Sequence, residues 1–243
     1  YPLSEFFHDG GVPALLAELK TLLSLDVMTV SVSNLAENIE RFTEENRQPL
    51  ERKSIYSLAK PLHSRGGLAV LYGNLAPDGA VVKAAAVDHD CLVMEGPARP
   101  FDSLETAVEA ALAGKIARGD IVVVRYEGPQ GGPGMREMHM LSALLTGMNS
   151  GAAVVTDGRF SGSSRGICIG HVAPEAAAGG LIGLVQNGDL IRIDIASRII
   201  ELKVSEEELG KRKAVQPEKN LPPGVLSRYK KMAGSAASGA VLE

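Results

Sequence analysis

Tryptophan is absent and aromatic residues make up only 4% of the chain, so the interior must be built mainly from Val, Ile, Leu and Ala. Cysteine is nearly absent too. The two that occur, Cys91 and Cys168, lie in the apolar contexts HDCLVME and RGICIGH, which read as buried free thiols. Two cysteines cannot by themselves hold an iron–sulfur cluster in the usual way. No apolar run reaches the roughly 18 residues that a spanning helix needs. The first residues have neither a basic leader nor a signal-like apolar stretch, which predicts a cytoplasmic protein with no membrane partner. Charge of one sign is also lacking. A formal net charge of -4 argues against a nucleic-acid or polyphosphate partner and leaves small acidic substrates open.

What is plentiful is glycine, 27 residues of 243, within a composition that is 45% hydrophobic. That suits closely approaching strands with tight connections, and the length suits one domain with an appendage. Helical spacing over Val12–Leu25 and Leu35–Phe42 predicts two amino-terminal helices, with Val27–Val32 a short strand or a loop. The polar run Thr43–Lys53 reads as a boundary. Beyond it, short strand signals follow at Gly67–Leu71, Ala80–Val82, Cys91–Met94, Ile121–Tyr126, Ala152–Thr156, Leu190–Ile195 and Glu201–Val204. Leu181–Val185 and Leu190–Ile195 flank Gln186-Asn187-Gly188-Asp189, a hairpin signal. Helices are predicted from the capping box Asp102-Ser103-Leu104-Glu105 to Ala113, over Met138–Thr146, from Pro174 to Ala178, and from Ser205 to about Lys213. The fold class that follows is mixed α/β, with a barrel-like sheet and helices packed outside it rather than a doubly wound sheet. The Pro-, Gly- and Ser-rich tail from Gln216 reads as an extension, mobile at Ser235–Gly239 unless it docks.

Two loops carry the chemistry. Thr156–Gly166, TDGRFSGSSRG, follows the apolar run Ala152–Val155 and presents an aspartate, two arginines and three serines on a glycine-punctuated turn. Glu127–Glu137, EGPQGGPGMRE, follows Ile121–Val124 and is crowded with glycine and proline. Neither matches a P-loop, a dinucleotide-binding motif or the G-x-S-x-G elbow of a hydrolase. Glu137 reads equally as a hard oxygen ligand for magnesium or as a glutamate at the start of a helix. Asp157 reads as a second ligand or as a turn residue. Arg159 can neutralise a substrate carboxylate or brace its own loop, and Arg165 flanks the same serines. Ser161 acts on a substrate only as an alkoxide, which requires a cation nearby. His171 reads chiefly as structural, and His8, His63, His89 and His139 show no ligand spacing.

The runs GGLAVLYGNLAPDGAVVK at 66–83, FDSLETAVEAALAGKIARGDIVVVRYEG at 101–128, EGPQGGPGMREM at 127–138, TDGRFSGSSRG at 156–166, IGHVAPEAAAGG at 169–180 and GDLIRIDI at 188–195 resemble the dihydroxy-acid and sugar-acid dehydratase family. The resemblance extends from HDGGVPALLAEL at 8–19 to SAASGAVL near the end. It implies dehydration of a small 2,3-dihydroxy carboxylate to a 2-keto acid, with magnesium and an iron–sulfur cluster as cofactors. By the same resemblance Glu137 is a magnesium ligand and Ser161 the base at C2; Arg159, Ser163 and Ser164, read from the chemistry of the loop itself, are the candidates for holding the substrate. It further implies that residues 1–53 end an N-terminal α/β domain that would carry the cluster cysteines. Residues 54–215 are then the barrel-like C-terminal domain and 216–243 an extension; an isolated half of such an enzyme would expose apolar surface, which predicts a homo-oligomer. Alone, the chain would be catalytically incomplete. Its MHMLSALL at 138–145 stands where the family has a proline–threonine pair, which leaves the choice between a branched-chain precursor and an aldonic acid open. A noncatalytic regulatory or assembly domain, binding a small anion or a partner subunit, is the alternative from another class.

Overall fold

The computed structural model describes residues 1–46, 52–88, 92–217 and 221–243, divided into two compact units, Tyr1–Arg65 and Gly66–Glu243. Part of the polar run Thr43–Lys53, with Pro49, lies outside the described residues, as do His89 and Cys91. The first unit holds α1 (Leu3–His8), α2 (Gly11–Glu18) and α3 (Leu35–Glu45). Asn34 starts α3 through a capping box: its side chain accepts from Glu37 N at 2.8 Å, and Glu37 accepts from Asn34 N at 3.2 Å. Between α2 and α3 lie a 3-10 turn, Lys20–Leu22, and a loop with a bridge from Met28 to Asn34. Asp9 fastens the end of the unit, accepting from Lys53 N, Ser54 N and Ser54 Oγ at 2.5–2.8 Å.

The second unit is a closed eight-stranded barrel with helices outside it. Its strands are β1 (Ala69–Gly73), β2 (Ala76–Val82), β3 (Val93–Phe101), β4 (Ile121–Val124), β5 (Ala153–Thr156), β6 (Cys168–Ala173), β7 (Leu190–Asp194) and β8 (Ile199–Leu202). Around the barrel the order is β1-β2-β6-β5-β4-β3-β7-β8, and β3, β4, β5 and β6 run parallel. Closure is at β1 and β8, where Tyr72 pairs with Ile199 and the Asn74 amide exchanges two 2.8 Å hydrogen bonds with Leu202.

β4 and β5 are buried along their whole length because each faces two cores. Ile121, Val123, Ala153 and Val155 point into the barrel, while Val122, Val124 and Val154 meet α4 (Leu104–Leu112) and α5 (His139–Gly147) outside it. These two helices are the crossovers from β3 to β4 and from β4 to β5. α4 starts on Ser103, whose hydroxyl accepts from Thr106 N at 3.2 Å. α6 (Glu206–Leu209) and α7 (Val225–Met232) follow β8.

One expectation changes. Leu181–Leu184 is a 3-10 helix, not a hairpin arm; the hairpin pairs β7 with β8 through Ile195–Arg198. A short apolar run fits either state, and the core accepts Ile182 and Gly183 from a helical turn. The tail docks: Ala233 bridges Leu242, Ser235–Gly239 encloses a 3-10 turn, and Gln130 Nε2 donates to Ala233 O at 2.8 Å.

Candidate active site

Both loops leave the C-terminal ends of neighbouring parallel strands, β4 and β5. A fully buried carboxylate joins their roots. Asp157 Oδ1 accepts from Glu127 N at 2.9 Å, and Oδ2 accepts from Tyr126 N at 3.0 Å and from Ala176 N at 2.9 Å, beyond β6. Burial pushes its pKa up to about 6, against the pull of these N–H donors and with the nearby Glu175 adding to the rise. Asp157 is thus the turn residue of the two readings. The rest of the glycine loop is held likewise: Glu175 accepts from Gln130 N and Gly131 N at 2.8 and 2.9 Å, and Glu127 accepts from Leu104 N at 2.9 Å. A Cβ on Gly132 would stand 2.6 Å from Glu127 Cα, so this packing requires glycine there.

From these roots the loops run side by side as a one-bridge extension of the sheet, Glu137 opposite Arg159. Arg159 N donates to Arg136 O at 3.0 Å, and Met138 N donates to Arg159 O at 2.9 Å. The exposed Glu137 carboxylate reaches both loops. Its Oε1 accepts from Ser161 N and its Oε2 from His139 N at the start of α5, each at 2.9 Å. Ser161 Oγ is 2.6 Å from Ser163 Oγ, which is 3.2 Å from His139 Nδ1. Lys83, just after β2, donates its Nζ proton to Gly162 O.

Glu137, Ser161 and Ser163 are therefore brought together. Ser164 turns inward, buried, 3.5 Å from Ser142 Oγ. The Arg159 backbone braces the loop while its guanidinium is exposed, close enough to His171 to join burial, the larger cause, in lowering the imidazole pKa. His171 is half-buried and left-handed at φ 57°, its N donating to Gly158 O at 2.7 Å, which is a structural role. A pocket of about 950 Å³ opens beside the serine loop, lined by Lys83, Ser163, Ser164, Arg165 and Arg118 among others. His139 and Lys83 were not singled out from sequence. His139 stands two residues after Glu137, the only linear clue; Lys83 arrives through the barrel.

Glu137 fits magnesium as one ligand, since each of its oxygens keeps an acceptor site beyond its N–H partner. Among the described residues no three His, Cys, Asp or Glu side chains gather into a metal site. Cys168 does not fit a cluster: burial pushes its thiol up to about 12, and it donates to Arg165 O at 3.3 Å.

Residues 53–240 match the family model described as dihydroxy-acid/6-phosphogluconate dehydratase, C-terminal. The chain belongs to this family. It is 50% identical over 242 residues to the dihydroxy-acid dehydratases of Methanococcoides burtonii and Methanosarcina barkeri, covering 98% of the chain and 44% and 43% of those proteins. To the Halothermothrix orenii dihydroxy-acid dehydratase it is 47% identical over 248 residues, covering 100% of the chain and 44% of the relative. The chain thus spans less than half the length of these curated relatives. Among the described residues no helix is long and apolar enough to cross a membrane.

Proposed function

We propose that this chain is the C-terminal part of a cytoplasmic hydro-lyase that converts 2,3-dihydroxy carboxylates to 2-keto acids. Ser161 is the base at C2 and Glu137 a magnesium ligand. The observation that carries this reading is the 2.9 Å hydrogen bond from Ser161 N to Glu137 Oε1, which joins the two loops at one point. Residues up to about 53 end an amino-terminal α/β domain, 54–215 form the catalytic barrel and 216–243 an extension.

In this reading the substrate lies against the serine loop, with its carboxylate near the exposed Arg159 and a hydroxyl in reach of Ser163. Ser164 shapes the wall, since its hydroxyl is turned inward. Ser161 Oγ takes the proton from C2, the C2–H electron pair becomes the C2=C3 bond, and the C3–O bond breaks with its pair going to the hydroxide, which takes a proton from solvent and leaves as water. The resulting enol then gains a proton at C3 and loses the one on its C2 oxygen, both exchanged with solvent, to give the keto acid. Magnesium, when bound, supplies positive charge that favours both the serine alkoxide and the developing enolate. Glu137 would hold it. The cluster that the family uses has no fitting ligand in Cys168, so departure of the hydroxyl draws on groups outside this chain's described residues. The chain alone is accordingly incomplete, and the working form is an oligomer that includes an amino-terminal domain.

The test has two arms. The purified chain, assayed with 2,3-dihydroxyisovalerate and several aldonates alongside iron and sulfide analysis, is expected to hold no cluster and turn over none of them; turnover would overturn its incompleteness. A full-length chimera with the amino-terminal half of the Methanococcoides burtonii relative is expected to turn over one of these substrates. In it, Ser161→Ala should lower kcat by at least about 1,000-fold. A chimera that folds and turns over none of them supports a noncatalytic domain, and one indifferent to Ser161→Ala removes Ser161 as the base.

A further inference from the structure

A serine that is to act as an alkoxide loses its own proton more readily when other donors already point at its oxygen, because they stabilise the anion. Ser163 N donates to Ser161 Oγ at 3.2 Å. The Ser163 hydroxyl lies 2.6 Å from the same oxygen and 3.2 Å from His139 Nδ1. A hydroxyl has one proton to give, and only two directions satisfy the chain. If Nδ1 is bare, Ser163 donates to His139 and Ser161 must donate to Ser163, which leaves its own proton in place. If Nδ1 carries a proton, His139 donates to Ser163, and the Ser163 hydroxyl turns toward Ser161. The ring is placed for this because its backbone N is held on Glu137 Oε2 at 2.9 Å, at the start of α5.

Resting on the reading of Ser161 as the base, we propose that His139 is a positioning residue: as its Nδ1–H tautomer it sets the direction of a His139–Ser163–Ser161 chain, so that Ser163 gives Ser161 Oγ two hydrogen bonds. Ser163 then acts as a small oxyanion hole for the serine alkoxide. The histidine transfers no proton and touches no substrate. Its contribution is the choice of tautomer.

The test uses the 243-residue chain labelled with 15N. Long-range 15N–1H correlation spectra are expected to show His139 as the Nδ1–H tautomer, and Ser163→Ala is expected to move it to Nε2–H. A ring already in the Nε2–H form, or one unchanged by Ser163→Ala, overturns the proposal and leaves the assignment of Ser161 untouched. In the full-length chimera, His139→Leu should lower kcat roughly 100-fold with KM little changed. His139→Asn, whose amide can place an N–H where Nδ1 stood, should restore most of that loss. Equal loss in both variants, or an effect confined to KM, counts against the chain. Conversely, an Nδ1–H ring beside a chimera indifferent to Ser161→Ala sinks the dehydratase role of Ser161 and spares the hydrogen-bond chain.

Discussion

Replacing Asp157 with asparagine preserves the side chain's volume but turns one of its two oxygens into an NH2 group facing a backbone N–H. Three donors now end on those oxygens, so at least one buried N–H loses its acceptor, at a cost of about 1–3 kcal/mol in a urea unfolding experiment. The pH dependence has a definite sign. The folded pKa, about 6, lies above the ordinary 3.8 because burial disfavours the charge. Asp157 therefore contributes most stability below pH 3.8, and loses that contribution as pH rises through 6. The asparagine does not titrate, so the gap in stability between the natural chain and Asp157→Asn should be larger at pH 4 than at pH 7. A gap that widens toward pH 7 would show that the three N–H donors outweigh burial. From sequence, Asp157 was open between ligand and turn residue, because what decides it is Ala176 N, 19 residues away and brought back by β6.

At the scale of elements, what could be read was what repeats. β4, β5, α4 and α5 follow from apolar runs and helical spacing bounded by glycine and a capping-box pattern at 102–105, within which the cap is Ser103. β6 could not be read, since ICIGHVA carries a glycine and a histidine within it and earns its burial from parallel pairing with β5. The same holds for Leu181–Leu184, whose composition is that of a strand while its place against Ala176 makes it a helical turn. Barrel closure was equally hidden, and Gly73 tests it. A Cβ built there falls 1.9 Å from Ile200 O and 2.9 Å from Ile200 C on the neighbouring strand, atoms that cannot rotate away. Gly73→Ala should therefore separate β1 from β8 and cost about 3 kcal/mol or more, measured by urea unfolding. Gly147→Ala, with nothing within 4 Å of its Cβ, is the matched control and should change stability by less than about 1 kcal/mol. Equal effects at both positions would mean that closure is not where the strain falls.

For the whole molecule, the convergence of Glu137 and Ser161 is a property of topology. Each loop was recognisable by itself, but only the parallel pairing of β4 and β5, continued by the Glu137–Arg159 bridge, brings residues 24 positions apart to 2.9 Å. The scaffold for that convergence is contained in residues 66–243. Both hydrophobic clusters of the barrel, inside it from Ala69 to Leu202 and outside it from Leu104 to Val154, draw every member from this unit. Asp157, Glu175 and Glu127, which tie the loop roots, belong to it as well. A segment of this size with its own core is long enough to fold by itself. Residues 66–243 expressed without the first 65 should unfold in one cooperative thermal transition, with near-ultraviolet circular dichroism like that of the same barrel in the longer chain. Deleting the first unit should also leave the His139 ring in the same tautomer, because Ser163, Glu137 and α5 are all retained. A broad melt with loss of the near-ultraviolet signal would place part of the barrel's stability in residues 1–65 and make the smaller unit a necessary part of the fold.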